Sequence, residues 1–375
     1  MARSIGDRLT RLSERRSGLD RYGQPNESQR SEAIAKSITP DGWQKRASAD
    51  KPFTRYALGA MQEVGHTSTK VSYETAERVG NQLNKGFEAL GRSVEFKLQG
   101  SVPLNVHIRQ YSDVDLLTID LGYCVYDEHG PRAVAGYYEP SSETQTARLW
   151  TLRQQAEGIL ANSFPQATVD KSGSKAVKIS GGSLPRSVDV VPSCWYDTFA
   201  WQQSRAETDR AVKILDKSVP TTLDNWPFLH IDRIKSRCDT TGGSMRKAIR
   251  LAKSVKNDAE RDIPLPSFDI AALLYHANTD TLRSGVVYEL AILGELQRWL
   301  DFLHANKDYA RTLVTPDGSR RILNTEAKVS ALTSLSVEVD DLLRNVAREQ
   351  IPYATFVTLA DCRAALASVY IAAAA

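Results

Sequence analysis

The sequence predicts an α+β protein of two lobes, a mixed sheet in the N-terminal lobe and a helical C-terminal lobe. Short runs rich in Val, Leu and Ile alternate with helix-like stretches between residues 73 and 192. After about residue 218, apolar residues recur every three or four positions almost throughout. Three carboxylates, Asp113, Asp115 and Asp189, fall in the strand-like runs of the first half. A helix presents one face every 3.6 residues and a strand alternates faces, so the two periods separate the two element types. Their order along the chain is what an α+β architecture requires.

The bulk properties narrow the function classes. A chain of 375 residues is long enough for two lobes. It is 41% hydrophobic and 25% charged, the balance of a globular protein. Lys plus Arg number 48 against 45 Asp plus Glu, a formal charge of +3. That excess is too small for binding nucleic acid by bulk charge, so no strong nucleic-acid signal is present. The four cysteines, Cys124, Cys194, Cys238 and Cys362, form no CxxC pair. This argues against zinc and against a disulfide framework, and for a reducing compartment. No apolar stretch is long enough to span a bilayer, and the first residues lack the apolar core of a signal peptide. The expectation is a soluble cytoplasmic protein with no membrane partner. GxxxxGK[ST] and HExxH are both absent.

Residues 1–50 are polar and charged, interrupted by Pro25 and Pro40, and read as a partly mobile segment. Residues 51–217 are expected to form the sheet-bearing lobe and residues 218–375 the helical lobe. Tyr73, Ala76, Val79, Leu83, Phe87 and Leu90 mark an amphipathic helix from Tyr73 to Arg92. It delivers the chain into Val94–Leu98, whose alternation reads as a half-buried strand that breaks at Gly100-Ser101. After a loop, a second strand is expected from Asp113 to Ile119, which would set Asp113 and Asp115 side by side on one face. Arg148 to Phe164 reads as a helix. Strand-like runs follow at 167–171, 175–180 and 187–192, the last placing Asp189 opposite Val188 and Val190. Beyond residue 218, Gly242-Gly243-Ser244 reads as loop and N-cap for a helix to about Asn257, and Ser267, after Pro264 and Pro266, as another N-cap. Longer helices are marked by Val286, Leu290, Leu293, Leu296, Leu300 and Leu303, and by Val329, Leu332, Leu335, Val339, Leu342 and Val346. No internal repeat is present.

Two neighbouring carboxylates on one strand face repel unless a cation lies between them, and a divalent metal fits. The Gly100-Ser101 turn offers N–H groups and a hydroxyl to a phosphate. Arg246, Arg250 and Lys253 fall at i, i+4 and i+7, a basic helix face opposite Met245, Ile249, Ala252 and Val255. Taken singly, each feature has a plainer reading: a solvated strand edge, a turn, a solvated helix face, an N-cap at Ser267. Trp195, Tyr196, Trp201 and Trp226 offer faces for stacking a base, Tyr196 being the one to test, but core packing is the simpler role for each. His230 and His276 read as structural.

Taken together, Gln99-Gly100-Ser101, Ser112-Asp113-Val114-Asp115-Leu116, Asp189 within Val188-Asp189-Val190-Val191-Pro192, the Lys253 helix and Ser267 resemble the bacterial cGAS/DncV-like nucleotidyltransferases of CBASS antiphage systems. These belong to the polymerase-beta-like superfamily, and the resemblance covers roughly residues 73 to 276. It implies that Asp113, Asp115 and Asp189 are catalytic and hold magnesium, or manganese in its place, with Asp189 near the attacking sugar hydroxyl. It implies that Gln99, Gly100 and Ser101 bind the donor triphosphate, joined by Lys253 and Ser267 from the other side of an interlobe cleft. The implied activity is synthesis of a cyclic oligonucleotide second messenger from nucleoside triphosphates, ATP among them, with release of pyrophosphate. The product would activate a separate antiphage effector, and an operon partner could conjugate the Tyr370–Ala375 tail. The alternatives are a linear oligoadenylate-type or RNA-tailing transferase and a non-catalytic nucleotide- or RNA-binding protein.

Overall fold

Among the described residues, seven strands form one mixed sheet, which carries Asp115 and Asp189. The computed structural model describes residues 4–17, 42–109 and 112–372. The described residues divide into two compact units, one of Gly65–Leu104 with Ser112–Arg233, the other drawn from Met1–Val64, Asn105–Tyr111 and Ile234–Ala375. The second contains the N-terminal helices α1 (Ile5–Ser17) and α2 (Pro52–Met61).

The sheet unit opens with α3 (His66–Ala89), then β1 (Val94–Gln99) and β2 (Val114–Tyr126). Helix α4 (Gln145–Ser163) leads to β3 (Thr168–Asp170), β4 (Val177–Ser180) and β5 (Val188–Asp197). The strand order is β1-β2-β5-β4-β3. Only β2 and β5 run parallel among these pairs; β1–β2, β4–β5 and β3–β4 are antiparallel. The C-terminal half of β5 carries β6 (Ala211–Asp216), which pairs with β7 (Thr221–Asn225). The mixed sheet expected from the sequence is therefore present, extended by a hairpin that the polar run Thr221-Thr222-Leu223-Asp224-Asn225 conceals. The hairpin straddles the expected lobe boundary at 217/218. The division falls instead at 233/234, inside helix α5 (Pro227–Thr240).

Strand alternation gives the sheet two distinct faces. On one, Val114, Leu116, Val188, Val190, Val177 and Ile179 pack with Val79, Leu83 and Phe87 of α3 and Leu149, Leu152 and Leu160 of α4, all buried. The two helices approach closely at Gly86, where a Cβ would come within 3.0 Å of Ile159. The other face carries a smaller cluster of Leu117, Ile119, Val191, Trp195, Val212 and Ile214. Asp115 and Asp189 share the parity of this second face, at its end.

The helical unit continues with α6 (Ser244–Asp258), α7 (Ser267–Tyr275), α8 (Ala291–Ala305) and α9 (Glu326–Gln350). Val329, Leu332, Leu335, Val339, Leu342 and Val346 are all buried along α9, as their spacing predicts. The stripe from Val286 to Leu303 is shorter than expected: α8 starts at Ala291, and Val286 is 58% exposed. Neither Ser244 nor Ser267 is an N-cap. Gly243, at φ +85°, and Pro266 hold those positions, and the serines are the first helical residues.

Within the segment expected to be partly mobile, Ile5–Ser17 forms α1 and is held in place. Arg15 of α1 donates to both oxygens of Asp258, at 2.5 and 2.7 Å, and Tyr56 of α2 donates to Asp258 Oδ2 at 2.9 Å. Leu12 is buried as well. A short amphipathic helix is marginal alone, and this buried ion pair anchors it. Pro25 and Pro40 lie outside the described residues. So do Ala373–Ala375, although Arg46 Nε donates to the carbonyl of Ala372 at 3.0 Å. Among the described residues, no helix is long and apolar enough to cross a membrane. Cys124, Cys194, Cys238 and Cys362 are all free thiols.

Candidate active site

A single cross-strand row assembles the site within the sheet unit. Gln99 on β1 pairs in register with Asp115 on β2, Asp115 with Asp189 on β5, Asp189 with Lys178 on β4, and Lys178 with Asp170 on β3. Residues paired in register share a face, with neighbouring strands about 4.8 Å apart. Two carboxylates thus stand side by side, with an amide beyond one and an ammonium beyond the other.

At the β1 end the chain turns sharply. Gly100 has φ +76°, and a Cβ built there would lie closer than 3.0 Å to Asp115 Oδ2 and 3.1 Å from its Cγ. Only glycine lets this backbone pass against the carboxylate. Ser101 follows directly in the turn and is half-buried. The Gln99 side chain is held from β7, where Asn225 Nδ2 donates to Gln99 Oε1 at 3.1 Å. That bond directs the Gln99 amide N–H groups away from Asn225.

Asp113 is placed differently from expectation. Strand β2 begins at Val114, so Asp113 precedes the ladder, although the Val114 N–H still donates to Ser187 O at 3.1 Å. Lys178 Nζ donates to Asp113 Oδ2 at 2.5 Å, and the Ser187 hydroxyl donates to Asp113 Oδ1. Both oxygens of Asp113 are therefore engaged by residues of the β4–β5 edge. Among the described residues, no three His, Cys, Asp or Glu side chains converge closely enough to hold a metal ion. The interactions of Asp113 supply a physical reason.

The electrostatics follow from this arrangement. Burial, and then the charge of Asp113, push the Asp189 carboxyl above its usual range, while Lys178 pulls it down. Burial lowers the Lys178 ammonium, but its bond to Asp113 and the carboxylates of Asp113, Asp189 and Asp170 outweigh this and raise it. By contrast, Asp120, also on β2 and fully buried, is matched by Arg92 and Arg148. Asp120 is a structural ion-pair partner, whereas Asp189 feels the nearby charge of Asp113, which favours an added cation. Carboxylate oxygens are the donors that magnesium prefers. The donor set fits such an ion through Asp115 and Asp189, with Asp113 available once Lys178 is displaced.

The remaining expected residues belong to the helical unit. Lys253 on α6 is 1% exposed, and its ammonium donates to Val106 O at 2.8 Å. Arg250 is also buried, donating to Met61 O at 2.8 Å and Asn105 O at 2.6 Å, and burial pulls it down to about 10. Arg246 pairs with Asp239 at 2.9 Å. The basic face is therefore no solvated stripe, because two of its three members serve backbone carbonyls. Ser267 is half-buried at the start of α7.

Tyr196 lies seven residues beyond Asp189 on β5, an odd spacing that puts it on the opposite face. The Lys213 ammonium sits 4.4 Å from its ring centroid. Trp195 and Trp201 are buried against the Arg210 guanidinium, at 4.1 and 4.4 Å. His230 is buried, and His276 Nε2 bonds Val314 O at 2.8 Å, in keeping with structural roles. Sequence reasoning missed Lys178, Ser187 and Asn225. Each comes from a different strand or loop, and only strand pairing brings them to the aspartates.

No protein-family model matches the chain. It is 42% identical over 312 residues to the cyclic dinucleotide synthase CdnE of Yersinia aleksiciae, covering 82% of this chain and 80% of that protein. It is similar to the structure of the STING-associated CdnE c-di-GMP synthase from Capnocytophaga granulosa, with TM-score 0.68 and 26% identity, over 92% of this chain and 99% of that one. The Rhodothermus marinus CdnE c-UMP-AMP synthase, solved with Apcpp and Upnpp, shares the fold at TM-score 0.56 and 15% identity, over 85% of this chain and 99% of that one.

Proposed function

This chain belongs to the CdnE cyclic dinucleotide synthases, and on that premise we propose that the row Gln99–Asp115–Asp189, with Asp113 beside it, is where it joins nucleoside triphosphates. The chain is a nucleotidyltransferase that makes a cyclic oligonucleotide from these substrates. The observation that carries the site assignment is the register pairing of Asp115 with Asp189, next to a glycine turn that no other residue could form.

Asp113, Asp115 and Asp189 would hold magnesium, or manganese in its place. When bound, the ions supply positive charge against the attacking sugar hydroxyl and the departing pyrophosphate. The protein's own groups orient the reactants. Backbone N–H groups of the Gly100 turn and the Ser101 hydroxyl donate to the donor triphosphate, and the Gln99 amide, aimed by Asn225, donates beside them. Asp189 holds the acceptor's ribose hydroxyl for in-line attack on the α-phosphate, and pyrophosphate leaves. A second transfer closes the ring.

ATP is a proposed substrate, and the product's proposed target is a separate antiphage effector in the cytoplasm. The reading is tested by incubating the full chain with four labelled nucleoside triphosphates and magnesium or manganese, then treating with phosphatase. Phosphatase-resistant products, identified by mass spectrometry and lost in Asp113→Asn/Asp115→Asn, are expected. Phosphatase-sensitive oligonucleotides would replace the cyclic reading with the linear one. Nucleotide binding without pyrophosphate release would replace it with a binding protein.

A further inference from the structure

Lys178 has no part in the assignment above, yet it is the residue that continues the carboxylate row. It pairs in register with Asp189 on one side and with Asp170 on the other. Its ammonium reaches past the row to Asp113 Oδ2 at 2.5 Å, while Ser187 takes Asp113 Oδ1. The pair is open to water, Lys178 being 41% and Asp113 32% exposed along the side chain. Solvent-exposed ion pairs are weak and exchange readily, unlike the buried bridge from Arg15 to Asp258. Each oxygen of Asp113 accepts one bond and keeps a further lone pair, so what opposes a cation there is the positive charge of the Lys178 ammonium already seated on Oδ2.

We propose that Lys178 is a positioning residue which holds Asp113 aside by an exchangeable ion pair, and so sets the affinity of the aspartate site for a divalent cation. The inference rests on the metal reading of Asp113, Asp115 and Asp189. Lys178 and the cation compete for the same carboxylate. Removing the ammonium both releases Asp113 and withdraws from beside Asp189 a positive charge that repels an incoming cation.

The test is titration of the full chain with Mn2+, reading free ion by electron paramagnetic resonance, with folding checked by circular dichroism. Lys178→Gln is expected to tighten the Mn2+ Kd about tenfold, which is 1.4 kcal/mol. Lys178→Met, which also removes the charge, should tighten it equally, whereas Lys178→Arg, which keeps the pair, should match the parent. Adding Asp113→Asn to Lys178→Gln should cancel the gain. A Kd unchanged or weakened in both Lys178→Gln and Lys178→Met overturns the proposal, as does a gain that survives Asp113→Asn. If neither the parent nor Lys178→Gln shows Mn2+ binding that Asp115→Asn abolishes, the metal reading itself falls.

Discussion

Gly100 and Asp115 are fitted to each other: a single methylene-sized group on Gly100 would overlap the Asp115 carboxylate, and the φ of +76° at Gly100 disfavours any side chain there. The turn and the first row carboxylate are therefore one unit. Gly100→Ala is expected to destabilise the protein by more than about 1 kcal/mol. It should lower pyrophosphate release about a hundredfold by displacing Asp115. Calorimetry and a pyrophosphate-release assay check both.

Asp115→Asn and Asp189→Asn each remove a charge from the register pair while keeping its shape. Loss of about 4 kcal/mol of transition-state stabilisation, or roughly a thousandfold in rate, is expected for either. Circular dichroism should match the parent. A variant retaining more than a tenth of the parent rate would remove that residue from the site.

Asn225 touches Gln99 and lies on the hairpin that sequence periodicity missed. Asn225→Ala removes one hydrogen bond, about 1 kcal/mol, so KM for the nucleoside triphosphate should rise roughly fivefold with kcat little changed. Steady-state kinetics separate the two constants.

Arg15 and Asp258 are both buried, with side chains 3% and 0% exposed. Truncation at Arg15→Ala leaves the buried Asp258 carboxylate without the Arg15 cation, its Tyr56 hydroxyl donor remaining, and a cost of about 3–5 kcal/mol is expected in urea denaturation. A change within 0.5 kcal/mol would show that α1 contributes nothing to the helical unit.

Glu289 accepts from Arg46 and from Lys247, the latter at 2.7 Å. Burial alone would raise its carboxyl, but the bonds and charges of Lys247 and Arg46 outweigh that and hold it below the usual range. A depressed folded value contributes stability that is present above the unfolded value and lost as pH falls through the folded one. Glu289→Gln should therefore cost on the order of 3 kcal/mol at pH 7. The gap to the parent should narrow as pH drops through and below the carboxylate range, as read by Tm across pH.

Much of the candidate site is legible in the sequence alone. The Val114/Leu116 and Val188/Val190 alternation implied that Asp115 and Asp189 face away from one apolar core, and the pleat bears this out. The long stripe of α9 was equally readable, because every third or fourth position is buried. The β6–β7 hairpin was not, since its outer strand is polar and its stability comes from pairing to β5 rather than from its own pattern. What the basic face of α6 meets is hidden from the sequence for a related reason. Periodicity identifies which residues share a face but not what that face meets, and here Arg250 and Lys253 meet the carbonyls of Met61, Asn105 and Val106.

The sequence by itself determined the α+β class, the carboxylate residues and the glycine turn, because these depend on local periods and on residue chemistry. Only the tertiary structure decided that Asp115 pairs with Asp189, that Lys178 stands next in the row, and that Asp113 lies just outside it. Strand register is set by hydrogen bonds between segments some 70 residues apart, and no local pattern encodes which residue will stand opposite which.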